Sequence, residues 1–316
     1  MMTPGDNPSI DLRSWLETLE QHGELRRISA EVDWREEIGA VARINLSLDG
    51  PGLLFENIRD HKHTRCTKFL TGTLGNRRQV CLLLGLPTGT PDKAIIQHLR
   101  ACYRRGIPPV EVATGPVKTH KLAGADLDLG EFPVPHWHHL DGGRFIDTFC
   151  GVVTRNPKNG QMNVGIYRGQ VIAPDKIGKL LIPTQHWGSH FAEHRETSSP
   201  MPVAVVHGWH DVLPFCAGSP FPKGICEYDM MGAILGRPVE LVRCETSDLL
   251  IPASAEIVIE GTIDPNPATF EMEGPFGEYP GYAGGTPSPK PVLRLSRITH
   301  RADPILRGTL EGARPG

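Results

Sequence analysis

Several features that define common protein classes are missing from this chain of 316 residues. No apolar run reaches the roughly 18 to 20 residues that a membrane-spanning helix needs. Residues 1–15 lack the basic and apolar regions of a signal peptide. The formal net charge is -3, without the basic excess that binding to a phosphate backbone requires. We therefore expect a cytoplasmic protein whose partners include neither nucleic acid nor a membrane.

Short motifs of several enzyme and redox classes are also absent. The seven cysteines are odd in number and no Cys-x-x-Cys pair occurs, which favours reduced thiols over a disulfide framework or a structural zinc site. There is no Gly-x-Ser-x-Gly elbow, Walker loop or Gly-x-Gly-x-x-Gly after a strand. The main evidence for an α/β-hydrolase, a P-loop nucleotide-binding protein or a dinucleotide-binding enzyme is therefore absent. Glycine (35) and proline (29) are abundant instead, which predicts many loops and short strands.

The first third of the chain predicts three helices and one buried strand. Helices are expected at residues 9–22, after Asp33 and after Pro91, where a capping residue or a proline precedes apolar positions three and four residues apart. The strand is expected at residues 52–57. The second helix is expected to bury Ile38, Val41, Ala42 and Ile44.

From residue 113 the pattern changes to short β-branched runs separated by turns, which predicts an antiparallel, barrel-like domain. One helix, at residues 228–235, is expected to interrupt the strands. The expected fold class is therefore α+β, with a mixed α/β domain at 1–112 and the barrel-like domain at 113–305. The expected strands are 148–154, 162–171, 202–207, 239–244, 256–262 and 292–299.

The segment 273–278, Glu-Gly-Pro-Phe-Gly-Glu, holds two carboxylates in a stretch that cannot form a regular helix. A stiff loop fixes side chains at angles that a helix or strand forbids. One carboxylate of such a pair can carry a proton while the other carries a charge. A solvated turn rich in glycine and proline has the same composition, so the segment alone leaves both interpretations open.

Two sets of residues could bind a metal. Asn163, His186 and Glu227 offer oxygen, nitrogen and oxygen donors, which suit Mn²⁺ or Mg²⁺, although their spacing matches no local metal motif. The histidine cluster at 135–139, Pro-His-Trp-His-His, is where a zinc-hydrolase interpretation would begin. It lacks a His-Glu-x-x-His helix, and its prolines argue against a helix that presents ligands one turn apart.

Five motifs occur in the order seen in UbiD-like decarboxylases, and the resemblance runs from about Asp11 to Leu306. Enzymes of this family use prenylated flavin mononucleotide (prenylated FMN) to remove carbon dioxide from unsaturated or aromatic acids. The resemblance implies that residues 113–305 form a flavin-binding split β-barrel. It also implies that the family's C-terminal domain is not present in this chain, so that 306–316 is a truncated linker toward it. The motifs lie at 141–148, 163–168, 183–186, 252–261 and 273–278.

The resemblance also implies roles for individual residues. Arg168, Glu273 and Glu278 correspond to the catalytic network, in which Glu273 orients Arg168 and Glu278 delivers the proton. The ligands of the divalent metal, Mn²⁺ or Mg²⁺, that bridges to the flavin phosphate correspond to Asn163, His186 and Glu227. With Arg168, the residues that contact the flavin and its phosphate correspond to Thr148, Gly165, Ile166, Gln185 and Pro220.

The function that this resemblance implies is reversible, non-oxidative decarboxylation of an α,β-unsaturated or (hetero)aromatic acid. Loss of carbon dioxide leaves an electron pair that no ordinary side chain delocalises, so a cofactor is expected. The implied cofactors are prenylated FMN, the divalent metal and K⁺. The implied partners are a flavin prenyltransferase that supplies the cofactor and, with the C-terminal domain, further copies of the chain. A non-catalytic flavin-binding or assembly subunit is the alternative, and zinc hydrolysis is a third hypothesis.

Overall fold

The structure, a computed structural model, describes residues 9–222, 224–278 and 282–309. The α-helices of these residues are α1 (Leu12–Gln21), α2 (Glu37–Ser47), α3 (Arg77–Leu83), α4 (Asp92–Tyr103), α5 (His186–Glu196), α6 (Val212–Ala217) and α7 (Glu227–Leu235). The strands are β1 (Leu25–Ile28), β2 (Gly52–Phe55), β3 (Lys68–Thr71), β4 (Val110–Glu111), β5 (His120–Leu122), β6 (Gly151–Arg155), β7 (Met162–Gly165), β8 (Gly169–Ala173), β9 (Lys176–Lys179), β10 (Met201–His207), β11 (Glu240–Arg243), β12 (Leu250–Pro252), β13 (Ile257–Ile263), β14 (Glu271–Glu273), β15 (Phe276–Gly277), β16 (Ala283–Gly284), β17 (Ser288–Lys290), β18 (Val292–His300) and β19 (Ile305–Arg307).

The predicted helices of the first third are confirmed, with one error in the buried face. The side chain of Asp11 accepts the backbone N–H of Ser14 and caps α1, and Pro91 precedes α4. Helix α2 buries Ile38 and Ala42 as predicted, but Ile44 is 61% exposed. Ile44 follows Ile38 by six residues, which places it about 120° around the helix from the buried face.

A four-stranded mixed sheet forms the first layer, in the order β1-β2-β3-β19. Strands β1 and β2 are parallel, β2 and β3 are antiparallel, and β19 pairs in parallel with β3. The end of the described chain therefore returns to the sheet of the N-terminal part. Residues 306 and 307 of the predicted linker lie in β19, whereas 310–316 lie outside the described residues.

The second sheet has eight strands and is antiparallel at every described pairing, in the order β7-β6-β10-β13-β18-β9-β8 with β5 also paired to β18. Both faces are covered, because alternate residues of a strand point to opposite sides. Along β10, Val203 and Val205 join one hydrophobic cluster while Ala204 and Val206 join the other. A sheet buried on both faces gives a rigid support for residues at its edges.

The two edge strands, β7 and β8, are consecutive in the chain and are separated by residues 166–168. Three residues span only about 10 to 15 Å, so the sheet bends until its edges approach each other there. The described pairings do not close it into a barrel. The predicted unbroken strand at 162–171 is wrong, because Arg168 lies in the break between two strands.

Three helices, rather than the single one predicted, interrupt the strands in the described part of the second half. Helix α7 agrees with the prediction and ends at Gly236, whose φ of 71° is the left-handed conformation that glycine adopts at helix ends. Helices α5 and α6 were not predicted. None of the helices in the described residues combines the length and the apolar character that crossing a bilayer requires.

Candidate active site

Arg168 holds two carboxylates at once. Its Nε and Nη2 atoms donate to the two oxygens of Glu273 at 2.9 and 3.0 Å, and Nη1 donates to Glu278 Oε1 at 2.5 Å. The bidentate pairing fixes the plane of the guanidinium group. The structure thus brings together the three residues that the resemblance implies for the catalytic network.

The exposure of these side chains increases from one side of the group to the other. Glu273 is fully buried, Arg168 is 13% exposed and Glu278 is 29% exposed. All three residues line a cavity of about 310 Å³ whose wall also includes Leu180 and Lys290. Because Glu273 is fully buried against Arg168 and Glu278 is partly exposed, Glu273 can orient Arg168, whereas Glu278 can reach a molecule bound in the cavity.

The three implied metal ligands lie beside β7. His186, the first residue of α5, has its Nδ1 atom 3.2 Å from Asn163 Oδ1 on β7. Glu227, the first residue of α7, accepts the backbone N–H of Val164 at 3.0 Å, next to Asn163 in the chain. Asn163 and Glu227 are buried. The set offers an amide oxygen, an imidazole nitrogen and a carboxylate.

The chemistry of this set fits a hard divalent cation. Burial raises the pKa of Glu227 to about 6, although the hydrogen bond from Val164 opposes the shift. No basic side chain among the described residues acts on Glu227 to lower its pKa. A bound cation would compensate the buried charge, and oxygen and nitrogen donors suit Mn²⁺ or Mg²⁺. Within the described chain no group of three or more His, Cys, Asp or Glu could hold a metal, and this set relies on an Asn.

An aromatic pair connects the two groups of residues. The ring of Tyr167, the neighbour of Arg168, stacks on Trp187 with centroids 4.3 Å apart and planes 4° apart. The Tyr167 hydroxyl accepts a hydrogen bond from Asn163 Nδ2 at 3.2 Å. Trp187 Nε1 donates to Gln185 Oε1 at 3.3 Å. The position of Arg168 is therefore coupled through packed rings to the candidate metal ligands.

A fully buried ion pair lies beside residues 166–168, which separate β7 from β8. Lys179 Nζ donates to Asp147 Oδ2 at 2.7 Å and to the carbonyl of Tyr167 at 3.0 Å, and His207 Nε2 lies 3.0 Å from Asp147 Oδ1. Burial alone would raise the pKa of Asp147, but Lys179 and His207 outweigh it and hold this pKa below its ordinary value. No role was predicted for Lys179 or His207 from the sequence. A lysine at the end of a strand otherwise buried is the signal that could have found this pair.

Lys179→Met is expected to lower the free energy of unfolding by about 3–5 kcal/mol, because it leaves the carboxylate of Asp147 buried without its cation. Urea unfolding measures the change. Lys158→Met is the matched control, since Lys158 forms an exposed pair with Glu196 at 2.8 Å, and its loss should stay below about 1 kcal/mol. Equal losses in the two variants would contradict a structural role for the buried pair.

The other residues that were predicted to contact the flavin do not all line the same cavity. Ile166 lines a second, larger cavity of about 560 Å³ together with Phe149, Gly218 and Thr309, and the buried Thr148 Oγ1 accepts the N–H of Thr309 at 3.0 Å. Gly165 lies against the ring of Tyr167, where a Cβ would approach to 2.5 Å. Pro220 is exposed between α6 and α7 and belongs to the wall of neither cavity.

The histidine cluster does not form a metal centre. His136 Nε2 lies 3.1 Å from the carbonyl of Asp141, and His138 Nδ1 lies 3.3 Å from its carboxylate. His139 is exposed and its Nδ1 lies 3.3 Å from Glu36. Two of the three histidines therefore contact the turn that contains Asp141, and the zinc-hydrolase interpretation loses its site.

Comparisons with known proteins identify the family of this chain. The model of the 3-octaprenyl-4-hydroxybenzoate carboxy-lyase N-terminal domain matches residues 16–99, and that of the Rift-related domain of the same enzyme matches residues 109–314. The second match alone covers more than half of the chain. This chain belongs to the UbiD family.

Similar members of the UbiD family are decarboxylases by name. Pyrrole-2-carboxylic acid decarboxylase of Pseudomonas aeruginosa is 33% identical over 313 residues, covering 97% of this chain and 63% of the relative. Phenolic acid decarboxylase of Bacillus subtilis is 34% identical over 303 residues, covering 93% and 62%. The chain therefore spans less than two thirds of the length of these relatives.

Solved structures of UbiD-class enzymes share the fold. HmfF from Pelotomaculum thermopropionicum, in complex with FMN, has a TM-score of 0.87 at 33% identity and covers 96% of this chain and 65% of that one. Vanillic acid decarboxylase of Sedimentibacter hydroxybenzoicus in its closed form has a TM-score of 0.90 at 31% identity, covering 96% and 64%. The predicted family and the mixed α/β character of the fold are confirmed.

Proposed function

We propose that this UbiD-family chain forms the flavin-binding part of a non-oxidative decarboxylase for an α,β-unsaturated or (hetero)aromatic carboxylic acid, reversible at high carbon dioxide. The observation that carries the proposal is the position of Arg168, fixed from behind by Glu273 and bound to Glu278 at a cavity wall. The names of the relatives, which act on pyrrole and phenolic acids, support the same class of reaction.

In this proposal Arg168 binds the substrate carboxylate and Glu278 delivers the proton. Nη1 of Arg168 donates to Glu278 Oε1, and both residues line the cavity. A substrate carboxylate that binds there displaces Glu278, while Glu273 keeps the guanidinium in its plane. The displaced Glu278 stays beside the cavity, takes up a proton from solvent and delivers it to the carbon that has lost carbon dioxide. Prenylated FMN, when bound, supplies the electron sink that the side chains lack.

The cofactor site rests on the residues beside β7. Asn163, His186 and Glu227 would hold Mn²⁺ or Mg²⁺, and this cation would neutralise the phosphate of prenylated FMN. We further propose Thr148, Gly165, Ile166, Gln185 and Pro220 as flavin contacts, with K⁺ as a second cation. One structure of HmfF is in complex with FMN, and a second, of an evolved dimeric form, is in complex with prenylated FMN. These two complexes support a flavin in this family.

Several properties of the whole protein belong to the same proposal. We propose a mixed α/β domain at 1–112 and a split β-barrel domain at 113–305. A flavin prenyltransferase would supply the cofactor in the cytoplasm, and the protein would self-associate. The antiparallel eight-stranded sheet, bent at residues 166–168, supports the barrel-like arrangement.

The decisive experiment is carbon dioxide release from a panel of acrylic, phenolic and heteroaromatic acids. The protein is supplied with Mn²⁺ and either prenylated FMN or FMN. We expect turnover of at least one class of acid with prenylated FMN and none with FMN. Bound cofactor without turnover of any acid would contradict the proposal and favour a non-catalytic flavin-binding or assembly subunit.

A further inference from the structure

The loop that carries Glu273 and Glu278 is fastened to its surroundings between these two residues. The N–H of Gly274 donates to Gln170 Oε1 at 2.7 Å, the carbonyl of Pro275 accepts the N–H of Gly142 at 2.8 Å, and the N–H of Gly277 donates to Asp141 Oδ1 at 2.8 Å. Three backbone positions out of the four that separate the carboxylates are therefore held.

These bonds converge on a small set of buried groups. Gln170 Nε2 also donates to the carbonyl of Gly142 at 2.8 Å, so one side chain joins the loop to the turn at 138–142. The second carboxylate oxygen of Asp141 accepts the N–H of His138 at 3.0 Å. Both Gln170 and Asp141 are buried, at 6% and 8% exposure. We call Asp141, Gly142 and Gln170 the loop clamp.

Close contacts show that the loop packs tightly against the loop clamp and the adjoining turn, with no room for a further methyl group. A Cβ at Gly142 would lie 2.1 Å from the carbonyl oxygen of Gly274, and a Cβ at Gly277 would lie 2.3 Å from His138 Nδ1. Phe276, in the middle of the loop, is buried, with its ring 4.4 Å from that of Phe145. The backbone of the loop is therefore fixed by hydrogen bonds on both sides of a buried ring.

The loop clamp also fixes the distance between the loop and Arg168. Gln170 follows Arg168 by two residues on β8, and the guanidinium of Arg168 lies 5.3 Å from the centre of the Phe276 ring. Arg168, just before β8, thus binds the carboxylates, and Gln170, on β8, binds the backbone between them. A substitution at Gln170 therefore alters the geometry of Arg168, Glu273 and Glu278 without removing any of their charges.

We propose that Gln170 and Asp141 are positioning residues that set Glu278 against the bound acid, and that the histidine-rich turn serves this purpose rather than metal binding. This inference rests on the proposed function for its kinetic consequence, but not for its structural one. A misplacement of about 1 Å can cost about 100-fold in rate, so the effect on turnover is large enough to measure.

Gln170→Leu tests the proposal, because leucine fills similar space and removes both hydrogen bonds. We expect kcat to fall by about 10-fold to 100-fold. We also expect a larger solvent deuterium isotope effect on kcat, since proton delivery becomes slower relative to other steps. Amide hydrogen exchange of a peptide covering 271–278 should become faster. Gln170→Glu keeps the acceptor for Gly274 and should recover part of both the rate and the protection.

Gln79→Leu is the matched control. Gln79 is also buried, and its Oε1 accepts the N–H groups of Gly75 and Asn76 at 2.7 and 3.2 Å, with no contact to Glu273 or Glu278 among its hydrogen bonds in the described residues. It should lower stability while leaving the isotope effect and the exchange of 271–278 unchanged. Gly142→Ala is the second variant, and it should shift the loop by steric contact and raise the isotope effect in the same way as Gln170→Leu.

The outcomes separate this inference from the proposed function. If the wild-type protein turns over no acid, hydrogen exchange still tests the loop clamp. Unchanged exchange of 271–278 in Gln170→Leu would overturn the inference. Faster exchange with an unchanged isotope effect and kcat would overturn it as well, because the loop clamp would then hold the loop without positioning Glu278.

Discussion

Glu278→Gln is expected to reduce turnover by about 100-fold to 10,000-fold, the range that a positioned general acid contributes, while cofactor binding persists. Glutamine has the same size and can still accept the hydrogen bond from Arg168 Nη1, so the pocket keeps its shape. It has no acidic proton to deliver to the carbon that has lost carbon dioxide. Single-turnover release of carbon dioxide and flavin titration measure the two effects separately.

Glu271→Gln serves as the control for this variant. Glu271 lies on β14, two residues before Glu273, and forms a partly exposed ion pair with Lys176 at 2.8 Å. Its replacement should cost less than about 1 kcal/mol of stability and leave turnover unchanged. Deuterium exchange into the substrate should stop in Glu278→Gln and continue in Glu271→Gln. Wild-type turnover by Glu278→Gln would show that another group carries the proton.

The chemistry of the loop at 273–278 could be predicted from the sequence, but its partner could not. Two carboxylates in a stretch with glycines and a proline suggested an acid pair held in fixed geometry. Nothing in local spacing connects this loop to Arg168, which lies 105 residues before Glu273. Only the order of motifs along the chain indicated the pairing. In the structure, β14, which ends at Glu273, lies against β9. Strand β9 pairs with β8, which begins directly after Arg168.

The break at residues 166–168 could not be predicted, because its causes are distant in the sequence. The run from Met162 to Val171 has the composition of one strand. At the end of the break, Gly169 packs against Asp147, where a Cβ would lie 2.1 Å from the carboxylate oxygen. Lys179 donates a hydrogen bond to the carbonyl of Tyr167, within the break. Tertiary contacts of this kind override a local preference for a strand.

Helix α5 is a different case, because its pattern is present in the sequence. Its buried residues are spaced three and four apart, as on one face of a helix. Two of them are histidines, which a count of apolar positions does not include, so the pattern was missed. Helix α5 also explains why His186 faces Asn163, since His186 occupies the first turn of this helix. The buried positions are Trp187, Gly188, His190, Phe191 and His194.

Glu227→Gln is expected to weaken Mn²⁺ binding while making the metal-free protein more stable above about pH 6. The affinity for Mn²⁺ should fall by at least about 100-fold, because even changes outside the ligand sphere cost about 10-fold to 100-fold. Glutamine keeps an acceptor for the N–H of Val164. It removes a negative charge whose burial is unfavourable without a cation. Calorimetric titration with Mn²⁺ measures the first effect.

The pH dependence follows from the raised pKa of Glu227. Below its ordinary pKa of 4.5 the carboxyl is protonated in both the folded and the unfolded protein, and its charge costs nothing. Between 4.5 and about 6 the folded state binds more protons than the unfolded state, so stability falls as the pH rises. Above about 6 the full cost, about 2 kcal/mol, applies. Thermal unfolding of wild type and Glu227→Gln without metal should therefore diverge as the pH increases.

Asp229→Asn distinguishes this behaviour from a general effect on α7. Asp229 lies in the same first turn, and burial raises its pKa too, but it is not one of the three residues beside β7. Its replacement should leave Mn²⁺ affinity unchanged. Excess Mn²⁺ should also reverse the order of stability, since a ligand that binds the folded state alone stabilises wild type by mass action. If Glu227→Gln binds Mn²⁺ as tightly as wild type does, the carboxylate of Glu227 is not a metal ligand.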